Sequence, residues 1–239
     1  MDQTYVGVHI EEDRHHWWFR GRLAVLLAAL RASLPRRPLR LLELGCGTGN
    51  VLRALGEFGE AVGMEPDERL IAAARADGLD VRRGSMPADL VVPEGWADVV
   101  LLLDVLEHLD DEAAALATAR RALTRGGALV VTVPAFTWLW SAHDRALGHR
   151  RRYTAGQLRH VVERAGFVVT RATYFSTLLF PGFALVRWLK RGRGAEAHDL
   201  RRPPAAVNAL LEWCFATERH LVPRLRLPFG SSLLLIARR

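Results

Sequence analysis

Two hydrophobic rhythms run along the chain. From about Arg14 to Leu34 apolar residues recur at helical spacing, with Leu23, Leu26, Leu27 and Leu30 on one face and Pro35 near the end, which predicts a helix. From Leu39 onward, short apolar runs at 39–44, 61–65, 80–83, 97–103, 128–134 and 168–174 alternate with amphipathic stretches that start near Asn50, Pro66, Asp110 and Thr154. Apolar strands separated by helices predict a parallel sheet covered on both faces. Residues 176–229 interrupt this rhythm with an aromatic-rich helical stretch, a basic linker over 190–204 and a helix over 207–221, and the apolar run 231–237 predicts a last strand. The pattern divides the chain into an N-terminal helical cap (1–36), an α/β domain (37–175), a helical lid or substrate insertion (176–229) and a final sheet strand (230–239).

Composition narrows the function classes. Half of the 239 residues are hydrophobic, enough for one α/β domain with appendages, and the net charge of +7 implies attraction to anionic partners. The arginines are spread along the whole chain, so much of that charge reads as a solvated surface. Cys46 and Cys214 lie far apart with no His/Cys cluster beside them, which predicts no disulfide framework, no metal site and a reducing, cytoplasmic setting. The first residues lead to Glu11, Glu12 and Asp13 rather than to a signal peptide. The apolar stretch 177–189 contains Pro181, Gly182 and Arg187 and is shorter than the ~20 residues of a spanning helix.

The strongest chemical signal is Glu43-Leu44-Gly45-Cys46-Gly47-Thr48-Gly49-Asn50, a buried strand entering a glycine-rich turn and then a helix. Such a turn lets a nucleotide-like ligand approach the backbone closely. Asn50 stands where a dinucleotide fingerprint would have its third glycine, which favours S-adenosylmethionine (SAM) over NAD. Glu65, at the end of the second strand, is placed to accept hydrogen bonds from both ribose hydroxyls.

With Gly84-Ser85-Met86 after the third strand and Leu103-Asp104-Val105-Leu106-Glu107-His108-Leu109 after the fourth, four landmarks stand in order. Together they resemble the small-molecule branch (type 11/12-like) of the class I SAM-dependent methyltransferases. The resemblance implies a Rossmann-like methyltransferase fold: a doubly wound, mostly parallel seven-stranded sheet with an N-terminal helix and a helical lid before the last strand. It implies SAM as cofactor, with Ser85 and Met86 flanking the adenine, although the family more often has Asp at the position of Ser85. Leu103 and Asp104 would hold the methionine ammonium above Glu43, and Cys46, Pro66 and His108 would lie against the cofactor.

The run His15-His16-Trp17-Trp18-Phe19-Arg20-Gly21-Arg22 precedes the first helix. It either packs that helix or covers the cofactor, with Trp17 and Arg20 as the expected contacts. The acceptor side is expected in the loop after the fifth strand, at the carboxyl end where open sheets bind substrates. There His143 is the candidate general base, oriented by Asp144, and Trp138, His149, Arg151 and Tyr153 are candidate substrate contacts. His108 is a rival base.

The expected reaction is methyl transfer to an O or N atom of a small metabolite, sugar or lipid-linked acceptor, in secondary metabolite or glycan biosynthesis. No Asn/Asp-Pro-Pro-Tyr segment follows the fourth strand, so nucleic acid is not the expected partner. A tRNA or rRNA methyltransferase and a non-catalytic SAM-binding protein are the alternatives. Peripheral membrane contact through the insertion and a homodimer both remain open.

Overall fold

The computed structural model describes residue 7, residues 10–189 and residues 202–239. Most of the expected basic linker, residues 190–201, lies outside them. The chain forms two compact units, one of residues 1–34, 134–154 and 173–233, the other of residues 35–133, 155–172 and 234–239.

The second unit carries the sheet. Its strands are β1 (Leu39–Leu44), β2 (Gly59–Glu65), β3 (Val81–Arg83), β4 (Ala97–Leu103), β5 (Leu123–Pro134), β6 (Val168–Phe175) and β7 (Ser232–Arg238), in the order β3-β2-β1-β4-β5-β7-β6. The pairs among β1 to β5 are parallel, and one antiparallel hairpin completes a mostly parallel sheet. Leu41, Leu42, Leu44, Val62 and Val99–Leu102 are almost wholly buried. That continuous burial is the reason these strands read as solid apolar runs rather than alternating ones. After β3 the chain crosses back to the far side of β1, so the order reverses between β1 and β4, the switch point of a doubly wound sheet.

Short polar side chains set where the helices begin. The helix expected from Pro66 starts two residues later, at Glu68, because the Asp67 carboxylate caps it by accepting the Arg69 N–H at 2.9 Å. Asp111 likewise caps the helix Glu112–Ala122 through the Ala114 N–H. β5 begins at Leu123, five residues before the expected Ala128.

The first unit is built on two helices. The first, here α1, spans Trp17–Ser33, and its partner, α2, spans Ala205–Thr217. His16 caps α1 by accepting the Trp18 N–H on Nδ1. Gly21 lets the helices approach, since a Cβ there would sit 2.5 to 2.8 Å from three atoms of Phe215. Phe215 is fully buried, stacked on Phe175 and edge-on to Trp17. The Asn208 amide accepts the Trp17 N–H and donates to the His15 carbonyl, both at 3.0 Å, and Glu212 pairs with Arg20 at 2.8 Å. At the end of α2 the buried Glu218 carboxylate accepts the Leu178 N–H, and burial pushes its pKa up. Among the described residues no helix is long and apolar enough to cross a membrane.

This packing predicts an asymmetric response to substitution. Phe215→Ala should cost about 3–5 kcal/mol by opening a cavity. Gly21→Val, which crowds the same ring, should cost about 1–3 kcal/mol. Urea unfolding followed by tryptophan fluorescence measures both, and unchanged midpoints would show that the contact contributes nothing.

Candidate functional site

In the second unit, the turn after β1 has Gly45, Gly47 and Gly49 at φ of 77°, 56° and 79°. A Cβ at Gly45 would lie 2.7 Å from a Val105 methyl, so both the conformation and the space require glycine. The Gly45 and Cys46 N–H groups donate to the Met64 carbonyl, which sets the turn against the end of β2.

There the Glu65 carboxylate, only 6% exposed, accepts the Gly47 N–H at 3.0 Å and the Asp67 N–H at 3.1 Å. Burial pushes its pKa up, and the two N–H bonds oppose that shift. A carboxylate fixed beside a backbone turn that only glycine can build fits the sugar of an adenosyl group. Cys46 is buried, and burial, then the carboxylates of Glu43 and Glu65, raise its thiol pKa far above neutrality, so it is no nucleophile. Glu43 is buried at the end of β1, and Pro66 follows Glu65 ahead of the helix. Asn50 is the first residue of the helix after the turn.

The other landmarks of this unit lie at neighbouring strand ends. Asp104 takes a left-handed φ of 58°, rare for a residue with a side chain. It is held there by its N–H to the Thr132 carbonyl at 2.9 Å and by the Thr132 hydroxyl donating to its carboxylate at 3.2 Å. Leu103 before it is buried, and His108 ends the single turn Leu106–His108. Ser85 is exposed and Met86 half-buried, and the Ser85 N–H donates to the Asp89 carboxylate at 2.8 Å.

In the first unit, the loop leaving β5 is tied down. Tyr153 makes two backbone bonds across it, its carbonyl accepting the Phe136 N–H and its own N–H donating to the Pro134 carbonyl. Tyr153 is buried. His143 lies in a short helix, Ala142–Leu147, where only loop was expected, and that helix starts with a capping box between Ser141 and Asp144.

Asp144 is fully buried and anchors this region. It takes a two-pronged bond from Arg152 at 2.7 and 3.1 Å and pairs with His149 Nδ1 at 2.9 Å. Burial alone would raise its pKa, but the bonds from His149 and Arg152 outweigh it and hold the carboxyl well below its usual range. The histidine whose bond to Asp144 the structure shows is therefore His149, where His143 was the expected partner.

Arg152 was missed in the sequence because Arg150, Arg151 and Arg152 read alike there. No pattern in the sequence separates Arg152 from Arg150, and the structure buries Arg152 and leaves Arg150 exposed. Beside this network Phe136 stacks on Tyr174 at 4.9 Å and approaches Trp138 and Phe180, which also meets Phe229. Trp138, half exposed, opens this aromatic cluster to solvent. Trp17 and Arg20, expected at the cofactor, pack against Phe215 and pair with Glu212 on α2.

Comparisons with known proteins give the site its context. Residues 12–172 match a family described as a methyltransferase domain. The chain is 33% identical over 159 residues to a probable S-adenosylmethionine-dependent methyltransferase of Mycolicibacterium smegmatis, covering 64% of this chain and 60% of that protein. It is 36% identical over 107 residues to a ubiquinone biosynthesis O-methyltransferase of Cereibacter sphaeroides, covering 42% and 43%. It thus spans less than two-thirds of the length of either relative. A solved SAM-dependent methyltransferase of Archaeoglobus fulgidus shares the fold, with a TM-score of 0.65, 17% identity and coverage of 100% of both chains. With more than half of its length matching the family, the chain belongs to the class I SAM-dependent methyltransferases.

Proposed function

We propose that the protein transfers the methyl group of SAM to an oxygen or nitrogen atom of a small metabolite, sugar or lipid-linked acceptor. The observation that carries this reading is the Glu65 carboxylate, fixed by the Gly47 and Asp67 N–H groups beside the glycine turn. Bound SAM supplies an electrophilic methyl on a sulfonium. The protein's part is to align the acceptor with that methyl and exclude water.

Glu65 takes the ribose hydroxyls, while Leu103 and Asp104 at the end of β4 offer backbone and carboxylate oxygens to the ammonium. The half-exposed Trp138 and the ring cluster behind it form an apolar wall for the acceptor. An oxygen acceptor finds support in the Cereibacter sphaeroides relative, named as an O-methyltransferase.

For such a hydroxyl, His149 is the general base. Its partner Asp144, ionised beside Arg152, can only accept, so the bond fixes the proton on Nδ1 and orients the imidazole ring. His143, in the neighbouring short helix, is then a contact residue.

Two measurements test these roles. Glu65→Ala should weaken SAM binding roughly 10- to 100-fold, the loss of charge-assisted hydrogen bonds, read by isothermal titration. Unchanged affinity would remove Glu65 from the ribose site. Once an acceptor is identified, His149→Ala should lower kcat by about a hundredfold or more with SAM binding intact, whereas His143→Ala should change it far less. The reverse order would make His143 the base.

A further inference from the structure

Helix α2 is built inside out. Its amide and its one charged side chain, Asn208 and Glu212, lie four residues apart on one face, and both are spent on α1 through Trp17, His15 and Arg20. The face left to solvent consists of Ala205, Ala206, Val207, Ala209, Leu210 and Trp213. Leu210 is 62% exposed and Trp213 70%. A helix on the surface of a water-soluble unit normally shows the opposite arrangement. A continuous apolar face of this kind marks a contact surface.

At its C-terminal end α2 passes without a break into the turn Glu218–His220, and the character of the surface changes. An open cleft there is lined by Ala28, Arg31 and Ala32 of α1 and by Arg219, His220, Pro223 and Arg224. None of these seven lining residues is acidic. Arg219 donates to His220 Nε2 at 3.1 Å, and Arg224 donates to the His220 carbonyl at 2.9 Å, which holds the two guanidinium groups to the same imidazole residue. Arg226, just beyond, is exposed as well.

We propose that the outer face of α2 and this arginine cleft together form a docking surface for an anionic phospholipid bilayer. The two halves demand different chemistry from one partner: acyl chain for Val207, Leu210 and Trp213, and phosphate for the arginines. A bilayer surface offers both chemistries, and tryptophan is a residue enriched at the boundary between them. A second copy of the chain meeting this face would offer only Ala, Val, Leu and Trp, leaving the arginines without an anion. Nucleic acid would satisfy the arginines and leave the aliphatic side chains in water. The net charge of +7 adds long-range attraction of the same sign. This surface stands on its own, apart from the methyl-transfer reading.

Co-sedimentation of the full chain with vesicles tests it, comparing phosphatidylcholine alone with phosphatidylcholine containing phosphatidylglycerol. The protein should partition onto the anionic vesicles and lose that preference as salt is raised. Leu210→Glu with Trp213→Glu should weaken partition roughly tenfold or more. Arg219→Gln with Arg224→Gln should weaken it about thirtyfold on anionic vesicles alone. All four side chains are at the surface, so melting temperatures, measured alongside, should stay near that of the parent. Equal partition onto both kinds of vesicle would overturn the proposal. So would a lipid-free dimer that the Leu210 and Trp213 changes split, or tighter binding to duplex RNA than to anionic vesicles.

Discussion

A carboxylate held out of water at the end of a parallel strand is the constraint on which the rest of the cofactor side depends. Glu65 can occupy that position because β1 and β2 run parallel and in register, with Leu44 opposite Met64, so the glycine turn and the strand-end acid arrive together. Its two N–H donors come from either side of it in the fold, Gly47 on the turn and Asp67 at the cap of the next helix. Remove the glycines and the turn cannot bring Gly47 close; the second donor is the backbone N–H of Asp67, the residue whose side chain caps the next helix. Sheet register, turn conformation and helix capping therefore converge on one side chain.

That convergence explains what could be read from the sequence. The turn, the acid at the end of β2 and the landmarks after β3 and β4 each depend on neighbours within a few residues, so local patterning carries them. Strands such as β4 and β7 were equally legible, because burial on both faces writes a nearly unbroken apolar run. Partners distant in the chain were not. Nothing near Trp17 or Arg20 announces Phe215 or Glu212, and an aromatic run before a helix looks the same whether it covers a cofactor or packs a second helix. The choice of Arg152 over Arg150 and Arg151, and of His149 by Asp144, is made in the folded segment, which Tyr153 ties to Pro134 and Phe136 through its backbone and Arg152 to the Ala135 carbonyl through its guanidinium.

The inverted helix α2 follows from the same logic of distant partners. The Trp17 N–H, in the first turn of α1, has no carbonyl partner within that helix, and Asn208 supplies one. Arg20 would stand at the helix surface without its carboxylate, and Glu212 provides it. Meeting those polar demands turns the polar face of α2 inward, and an apolar face is what remains outside. In this unit exposed hydrophobicity is the geometric consequence of inward hydrogen bonding, which is why mean composition gives no sign of it.

Two buried carboxylates make the stability of the fold respond to pH in opposite directions. Asp144 has its pKa lowered, so it contributes stability at pH above the unfolded value of an aspartate and loses it as pH falls through the lower folded value. Its bonds to Arg152, His149 and Ser141 occupy it fully, as befits a group that positions others. Glu65 runs the other way. Its pKa is raised, so its favourable contribution belongs to the protonated form and is lost as pH rises through the folded value. The Gly47 and Asp67 N–H bonds oppose that rise and do not outweigh the burial that causes it. Glu218, pushed up by burial while it accepts the Leu178 N–H, behaves as Glu65 does, so the direction of the shift follows the balance of burial against donors: Asp144 alone of the three has a guanidinium among its donors.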